Sequence, residues 1–135
     1  MEIFKSKATL LAGTSYDEVY VHARKEHKKV ESLTKRHAYV RSKYFNNAKI
    51  FLDLFWPHLL QKHIEKRTKR LKLYTAAIDL MRNTHSHPHT VIKHGDYLHR
   101  FYGKTRDGEE YCVQVKQDKR SGRLDFMSVF PKKLP

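Results

Sequence analysis

The sequence of 135 residues contains one cysteine and only five glycines. Because Cys112 has no partner thiol within the chain, no intramolecular disulfide can form, and we expect a cytoplasmic protein in a reducing compartment. The chain has no glycine-rich phosphate loop, no GxSxG elbow and no acidic cluster suited to magnesium. The sequence therefore offers no support for kinases, dehydrogenases, serine hydrolases or two-metal nucleases.

Long apolar runs are also absent. No stretch of about 20 apolar residues is present, and Lys5 and Lys7 interrupt the segment in which a signal peptide would have its apolar region. We therefore predict no membrane partner and no secretion signal. The hydrophobic share of 39% is that of a folding chain. The length suits one core, so we predict a single basic α+β domain over residues 1–135.

Positive charge is in excess. Lys and Arg number 28 against 14 Asp and Glu, which gives a net charge of +14, and ten His add charge at mildly acidic pH. Such a surplus raises affinity for polyanions because binding releases condensed counterions. We expect nucleic acid as a partner, RNA first. A soluble basic protein with solvated lysines is the simpler alternative.

A basic block, LTKRHAYVRSKYF, begins at Leu33 and is predicted to contain a short strand. Alternation along a strand places His37, Tyr39 and Arg41 on one face. An imidazole, a phenol and a guanidinium in a row can bind a phosphate and move a proton beside it. Each also has a structural alternative: a surface ion pair for the charged groups, and a packed ring with a wet hydroxyl for Tyr39 and Tyr44.

Hydrophobic periodicity and turn residues predict the order of the elements. The predicted elements are a strand in residues 2–11, a charged helix over 16–31, the basic strand, an apolar helix over 49–60, and a helix through residue 83 that is continuous or broken near Arg67. Three alternating strands follow, over residues 96–104, 109–117 and 123–130. This order predicts an α+β fold in which N-terminal helices pack on an antiparallel sheet with a C-terminal three-stranded meander.

Histidines cluster in the loop before that meander. His85, His87 and His89 alternate, and imidazole is a good ligand for zinc or nickel. However, Pro88 breaks any helical spacing, and the chain has neither an HExxH nor a CxxC motif. We therefore predict no native metal and no cofactor.

Metal-free phosphodiester cleavage remains compatible with these residues. RNA supplies the 2′-hydroxyl as nucleophile, so an enzyme needs a base, an acid and cations that stabilise the phosphorane. The predicted meander offers His99 and Arg100 on its first strand, Lys116 on its second and Ser128 on its third. Ser128 shares strand parity with Phe126, so it is a polar position on a face expected to be buried. The alternatives are a His99 satisfied within the sheet and a Lys116 that protects a strand edge.

Five segments carry a resemblance to known proteins: RHAYVRSKYF, KIFLDLFWPHL, LHRFYGKTRDGE, VQVKQDKRSGRL and MSVFP. Over about residues 33–131 they resemble a small family of uncharacterised bacterial and mobile-element proteins. More loosely, the pattern is similar to the barnase, EndoU, colicin and RelE-like (BECR) ribonuclease superfamily, including its phage-borne members, which cleave RNA without metal and often act as toxins. The resemblance implies a BECR-like fold and a neutralising antitoxin or immunity protein as a partner. It places His37 and Arg41 on the early basic motif, Lys116 on the second meander strand and Ser128 on the last.

The first functional hypothesis is a metal-independent endoribonuclease of toxin type. In it, His37 is the base or acid, Lys116 stabilises transition-state charge and Ser128 orients the phosphate. Arg41 and Arg100 hold the phosphate. Further substrate contacts are predicted at Tyr39, Tyr44 and His99.

Two other classes of function stay open. In a non-catalytic nucleic-acid-binding module, the same cations bind the backbone while Tyr39, Tyr44 or Tyr102 stack on bases. In a partner-binding protein of a mobile element, the apolar segment over residues 51–60 is the interface. A broad basic surface without a pocket favours the first of these two, and an exposed apolar patch favours the second.

Overall fold

The computed structural model describes residues 2–134. Within them the elements are, in chain order, β1 (Phe4–Lys5), α1 (Tyr16–Glu31), β2 (Tyr39–Ser42), β3 (Ala48–Phe51), α2 (Phe55–Leu60), α3 (Ile64–Lys72), α4 (Tyr74–Asn83), β4 (His89–Lys93), β5 (Asp96–Lys104), β6 (Glu110–Gln117) and β7 (Leu124–Pro131). None of the helices in this part of the chain combines the length and the apolar character needed to cross a membrane.

These strands form one mixed sheet. The order across it is β1, β5, β6, β7, β3 and β2, and β4 pairs with β5 beside β1. The β1–β5 and β3–β7 pairs are parallel, and the other four pairs are antiparallel. The predicted α+β class is confirmed, but the predicted antiparallel sheet is wrong. Parallel neighbours need a long connection, and β3 reaches β7 only after three helices and three further strands.

β4 lies within the segment predicted as a loop. Its residues pair with the first half of β5 in the register His89 with Arg100 through Lys93 with Asp96. His94 and Gly95 join the two strands, and both have positive φ, at 52° and 83°. A two-residue turn of this kind matches the twist of a hairpin. The antiparallel run at this end of the chain therefore has four strands, where the sequence predicted three.

The apolar segment over residues 49–60 is also divided differently from the prediction. It begins in β3, where Ile50 pairs with Val40, and continues into the short helix α2. A short apolar run does not distinguish a buried strand from a buried helix. Pro57 lies in the first turn of α2, where its missing N–H removes no intrahelical hydrogen bond.

The following helical segment breaks at Leu73, between α3 and α4, and not near Arg67. Arg67 instead caps the end of α2. Its Nε donates to the Lys62 carbonyl at 2.7 Å and its Nη2 donates to the Leu60 carbonyl at 2.8 Å. The charged residue in the apolar seam is therefore explained by orphan carbonyls at a helix C-terminus.

The hydrophobic core lies between the helices and one face of the sheet. Phe126 of β7 stacks on Phe55 of α2, with ring centroids 4.7 Å apart and planes 4° apart. Tyr111 of β6 is fully buried and donates to the Ala76 carbonyl of α4 at 3.1 Å. The Tyr111 side chain lies so close to β5 that position 103 has no room for a Cβ. A Cβ added at Gly103 would lie 2.6 Å from the Tyr111 ring. We refer to this side as the covered face.

Candidate nucleic-acid interface

Side chains that alternate with the core positions form the second side of the sheet, which we call the open face. Strand register aligns one row across it. Tyr39 pairs with Phe51, Phe51 with Asp125, Asp125 with Lys116, and Lys116 with Leu98. The row crosses β2, β3, β7, β6 and β5 in that order. It brings together residues far apart in sequence, because β3 joins β7 in parallel.

Two aromatic rings at one end of this row are surrounded by cations. The rings of Tyr39 and Phe51 lie 6.0 Å apart, edge to face. Lys49 Nζ lies 4.6 Å from the Tyr39 ring centroid, and Arg41 Cζ lies 5.6 Å from it. Arg123 Cζ lies 4.3 Å above the Phe51 ring. We call Tyr39 and Phe51 the aromatic pair.

Most of the positive charge has no acidic partner. Within residues 2–134, only three of the 28 Lys and Arg side chains form an ion pair with a carboxylate. These are Lys29 with Glu26, Lys116 with Asp96 and Arg123 with Asp125. No fixed carboxylate neutralises the remaining cations locally, so the described part of the chain keeps a large positive potential.

A second, polar row crosses the open face beside the first. His89 pairs with Arg100, Arg100 with Gln114, and Gln114 with Ser128. The Ser128 hydroxyl donates to Gln114 Oε1 at 2.8 Å, and Ser128 is 2% exposed. Arg100 is half-buried, and within residues 2–134 its buried Nε has no hydrogen-bond partner. An unsatisfied buried donor of this kind is unusual in a folded protein.

Strand alternation predicts that Ser128 and Phe126 share a face, and this prediction is wrong. A bulge interrupts the β6–β7 ladder, so Val115 pairs with Phe126 while the preceding residue, Gln114, pairs with Ser128. The extra residue, Met127, reverses the alternation. Phe126 therefore packs into the core, and Ser128 lies on the open face.

The predicted catalytic residues lie on the open face but do not meet. His37 precedes β2, where the Leu52 N–H donates to the Ala38 carbonyl and extends the β2–β3 ladder. His37 Nδ1 lies 3.1 Å from Asp53 Oδ2, and the His37 side chain is 62% exposed. Lys116 shares a row with Tyr39, three strand spacings or about 14 Å of backbone away, and His37 lies two residues before Tyr39. Lys116 Nζ lies 3.7 Å from Asp96 Oδ2. His37 and Lys116 are therefore paired with different carboxylates in different parts of the open face.

Two predicted substrate-binding residues are placed in packed surroundings instead. His99 is 9% exposed, with Nδ1 2.7 Å from the Thr90 hydroxyl and Nε2 2.8 Å from Gln117 Oε1. Tyr44, in the turn between β2 and β3, packs edge to face on Phe101 at 5.4 Å. Both rings are on the covered side of the sheet. The packing of Tyr44 and the two hydrogen bonds of His99 account for these residues structurally.

Tyr102 and Cys112 also lie on the open face, in a third row. Cys112 pairs with Tyr102 on one side and with Phe130 on the other. It is fully buried, and burial raises the pKa of its thiol to about 12. The thiol is therefore protonated at neutral pH and unsuited to nucleophilic attack.

A buried histidine, His27, packs against the rings of Trp56 and Tyr74 among the helices. His27 Nδ1 lies 2.8 Å from the Tyr74 hydroxyl and accepts from the Trp56 indole N–H at 3.3 Å. Burial lowers the pKa of His27, and the nearby Arg24 lowers it further, against the opposing effect of Glu31 and Asp53. Because Nδ1 accepts from an indole, the neutral ring carries its proton on Nε2.

Sequence reasoning missed Phe51, Lys49 and Arg123 as site residues. The apolar run over residues 49–60 predicts a helix, and in a helix Lys49 and Phe51 would not lie on a sheet face with Tyr39. The alternation Lys49–Ile50–Phe51 is the signal that marks a strand here. Arg123 follows the predicted Ser121–Gly122 turn, and only the parallel β3–β7 pair brings it above Phe51.

The apolar segment predicted as a partner interface is mostly internal. Leu52, Phe55 and Leu59 lie in the core, while Leu60 is 59% exposed. The loop histidines also form no cluster: among residues 2–134, no three His, Cys, Asp or Glu side chains gather as metal ligands would.

The chain matches no protein-family model, no curated protein and no solved structure in the comparisons made. The candidate site therefore stands on the geometry of this chain alone.

Proposed function

We propose that this protein binds single-stranded nucleic acid, RNA first, across the open face of its sheet. The observation that carries the proposal is the aromatic pair, Tyr39 and Phe51, flanked by Lys49, Arg41 and Arg123 on the open face. Sheet surfaces of this composition suit unpaired bases, since rings stack on bases and cations follow the phosphates.

The roles of these groups follow from their chemistry. A base stacks on the Arg123 guanidinium plane above Phe51, or displaces the Lys49 ammonium from the Tyr39 ring. Arg41 is held by its Nη1, which donates to the Asn47 carbonyl at 3.0 Å, and its remaining donors are directed to phosphate. Duplex RNA hides its base faces, so it would use only the cations.

The test is the affinity of the wild-type protein for a labelled single-stranded RNA of about 12 nucleotides, measured by fluorescence anisotropy between 50 and 200 mM salt. We expect log K to fall linearly with log salt, with a slope of about −0.7 for each phosphate neutralised. Duplex RNA of the same length is the control and should bind more weakly. No binding at 50 mM salt, or equal binding of both forms, contradicts the proposal.

A second candidate is metal-independent RNA cleavage of toxin type, with a BECR-like fold and a neutralising antitoxin as partner. The observation that favours it is the exposed His37, whose Nδ1 lies 3.1 Å from Asp53 Oδ2. A carboxylate on one ring nitrogen fixes the tautomer and leaves Nε2 to move a proton. His37 would take the proton of the 2′-hydroxyl, which attacks the adjacent phosphorus and expels the 5′-oxygen, and that oxygen takes a proton from water. The products are a 2′,3′-cyclic phosphate and a 5′-hydroxyl end.

Cleavage is tested by incubating the protein with labelled RNA in EDTA. We expect the wild type to release fragments with 2′,3′-cyclic phosphate ends, and the exposed substitution His37→Gln to abolish that release while RNA affinity is kept. Asp53→Asn should slow the reaction without abolishing it, because it disturbs only the orientation of the imidazole. Intact RNA after prolonged incubation with wild type, or equal cleavage by His37→Gln, leaves binding alone.

A further inference from the structure

A recess of about 190 Å³ lies at the β5 end of the row that begins with the aromatic pair. Leu98 and Lys116, the last two residues of that row, line the recess together with Met127, the residue that the bulge adds to β7. Lys93 and Asp96, a cross-strand pair of β4 and β5, line it as well. Four neighbouring strands therefore contribute to one recess, which we call the Asp96 recess.

The floor of the Asp96 recess is apolar and its upper part is charged. Leu98 is 5% exposed, and Met127 is half-buried. The side chains of Asp96 and Lys116 are 27% and 40% exposed, and Lys93 is exposed. Sites for small ligands have this composition, with apolar walls and a few placed polar groups. Pockets for drug-sized ligands hold about 300–1,000 Å³, so this recess suits a single small ring.

Strand order places the Asp96 carboxylate between two ammonium groups. β5 lies between β4 and β6, so Lys93, which pairs with Asp96, is on one side of it. Lys116 is on the other side, and its Nζ lies 3.7 Å from Asp96 Oδ2. This distance exceeds that of a direct charge-assisted hydrogen bond, about 2.7–2.9 Å, so the carboxylate and the ammonium groups keep capacity for a ligand. The recess therefore presents a donor, an acceptor and a donor in a row.

We propose that the Asp96 recess binds a uracil base of the RNA that crosses the open face. The Watson–Crick edge of uracil presents an acceptor, a donor and an acceptor (O4, N3–H and O2), which is the complement of the row in the recess. Asp96 accepts from N3–H, while Lys93 and Lys116 donate to the two carbonyl oxygens. The ring itself packs on Leu98 and Met127.

The other bases fit this row less well. Cytosine and adenine have an unprotonated ring nitrogen at the centre of the same edge, and its lone pair would face the carboxylate. Guanine has a central N–H, but its 2-amino group would face an ammonium group. A polar group left unmatched in a partly buried site costs affinity, so the site rejects a base that lacks the right group.

A uracil site in this recess rests on the proposed function, because it selects one base of the bound strand. Lys116 lies two strand spacings, about 10 Å of backbone, from Phe51 along the row. One single strand can therefore place one base on the aromatic pair and another in the Asp96 recess. The open face then prefers strands that contain uracil.

The test compares oligouridine with oligocytidine, each of about 12 nucleotides, by fluorescence anisotropy at one salt concentration. The two strands carry the same charge and differ only at the pyrimidine edge. We expect wild type to bind oligouridine about tenfold more tightly, since the loss of a hydrogen bond to a charged group has about that effect. Oligouridine methylated at N3 should bind as weakly as oligocytidine, whereas 5-methyluridine strands, which keep the edge, should bind like oligouridine. Equal affinity for oligouridine and oligocytidine, or undiminished binding of the N3-methylated strand, overturns the proposal.

Asp96→Asn should remove the preference between the two strands, because an amide can accept from uracil or donate to cytosine. Asp17→Asn, at an exposed carboxylate in the first turn of α1, removes the same charge and should keep the preference. A folded Asp96→Asn that keeps the full preference overturns the proposal. The base series is measured on wild type, so it decides the proposal even if Asp96→Asn does not fold.

The two proposals fail separately. If single-stranded RNA binds but oligouridine and oligocytidine bind equally, the uracil site is overturned and the proposed function stands. If no RNA binds, the proposed function is rejected, and nucleoside monophosphates decide the uracil site. Shifts of the Leu98 and Met127 methyl resonances in NMR with uridine 5′-monophosphate, but not with cytidine 5′-monophosphate, support it. Equal shifts with both nucleotides, or no shift with either, overturn it.

Discussion

Replacing Tyr39 by leucine tests the aromatic pair directly. The substitution removes a ring that lies beside Phe51 and beneath Lys49, while the leucine side chain keeps apolar contact with the strand. Stacking of one base on an aromatic side chain contributes about 1–3 kcal/mol when measured by truncation. That range corresponds to about a 5- to 150-fold rise in Kd for single-stranded RNA.

The fold should tolerate this change. Tyr39 is half-buried and lies outside the hydrophobic core, and its pairing with Phe51 uses backbone groups that leucine also has. The lost attraction between Lys49 and the ring amounts to about 0.5–1 kcal/mol at an exposed site. Urea denaturation should therefore shift only slightly, and the RNA measurement can be made on folded protein.

Two controls separate stacking from other effects. Tyr39→Phe keeps the ring and should bind RNA within about threefold of wild type. Tyr20→Leu removes an exposed ring on α1, away from the open face, and should not change affinity. The reasoning is refuted if folded Tyr39→Leu binds single-stranded RNA within twofold of wild type, or if Tyr20→Leu loses as much affinity.

Two further predictions concern stability. Burial lowers the pKa of His27 below its ordinary 6.5, so at mildly acidic pH the unfolded chain takes up a proton there that the folded chain does not. The free energy of unfolding therefore keeps its full value above about pH 6.5. As the pH decreases below about 6.5, the free energy of unfolding decreases by up to about 1.4 kcal/mol per pH unit. Urea denaturation from pH 7.5 to 5 should show this fall, and His27→Gln should flatten it; an equally steep fall in the variant would contradict the assignment. Gly103→Ala should lower the free energy of unfolding by about 1–3 kcal/mol, because its Cβ would lie 2.6 Å from the Tyr111 ring and 3.0 Å from Leu80; an unchanged urea midpoint would show that the two side chains give way.

Local signals in the sequence were sufficient for several elements. The charged helix was predicted over the residues that α1 occupies, and Ser15 caps it by accepting from the Glu18 N–H at 3.2 Å. The three strands of the predicted meander fall close to β5, β6 and β7. Alternation and hairpin turns depend on neighbours in the chain, so a single sequence contains them.

The rest depends on contacts between distant segments. Nothing near Phe51 in the sequence indicates that Asp125 lies beside it, because β3 and β7 are more than 70 residues apart in the chain and pair only in the folded structure. The bulge at Met127 likewise reverses the side of Ser128 without a glycine to mark it. The open face was therefore predictable only along β2, where Tyr39 and Arg41 alternate within one strand.

Binding and cleavage make different geometric demands on this face. A general acid or base must lie within about 3 Å of the proton that it moves, so cleavage requires its catalytic groups to converge on one phosphate, whereas the backbone of Lys116 lies three strand spacings, about 14 Å, from β2. Binding has no such requirement, since a base stacks on the aromatic pair while cations several strands away hold other phosphates of the same strand. If cleavage occurs, the reacting phosphate must lie beside His37 and Asp53, on the other side of the aromatic pair from Arg41 and Lys49. Substituting Lys116 would then change affinity and leave the rate of the bound complex intact.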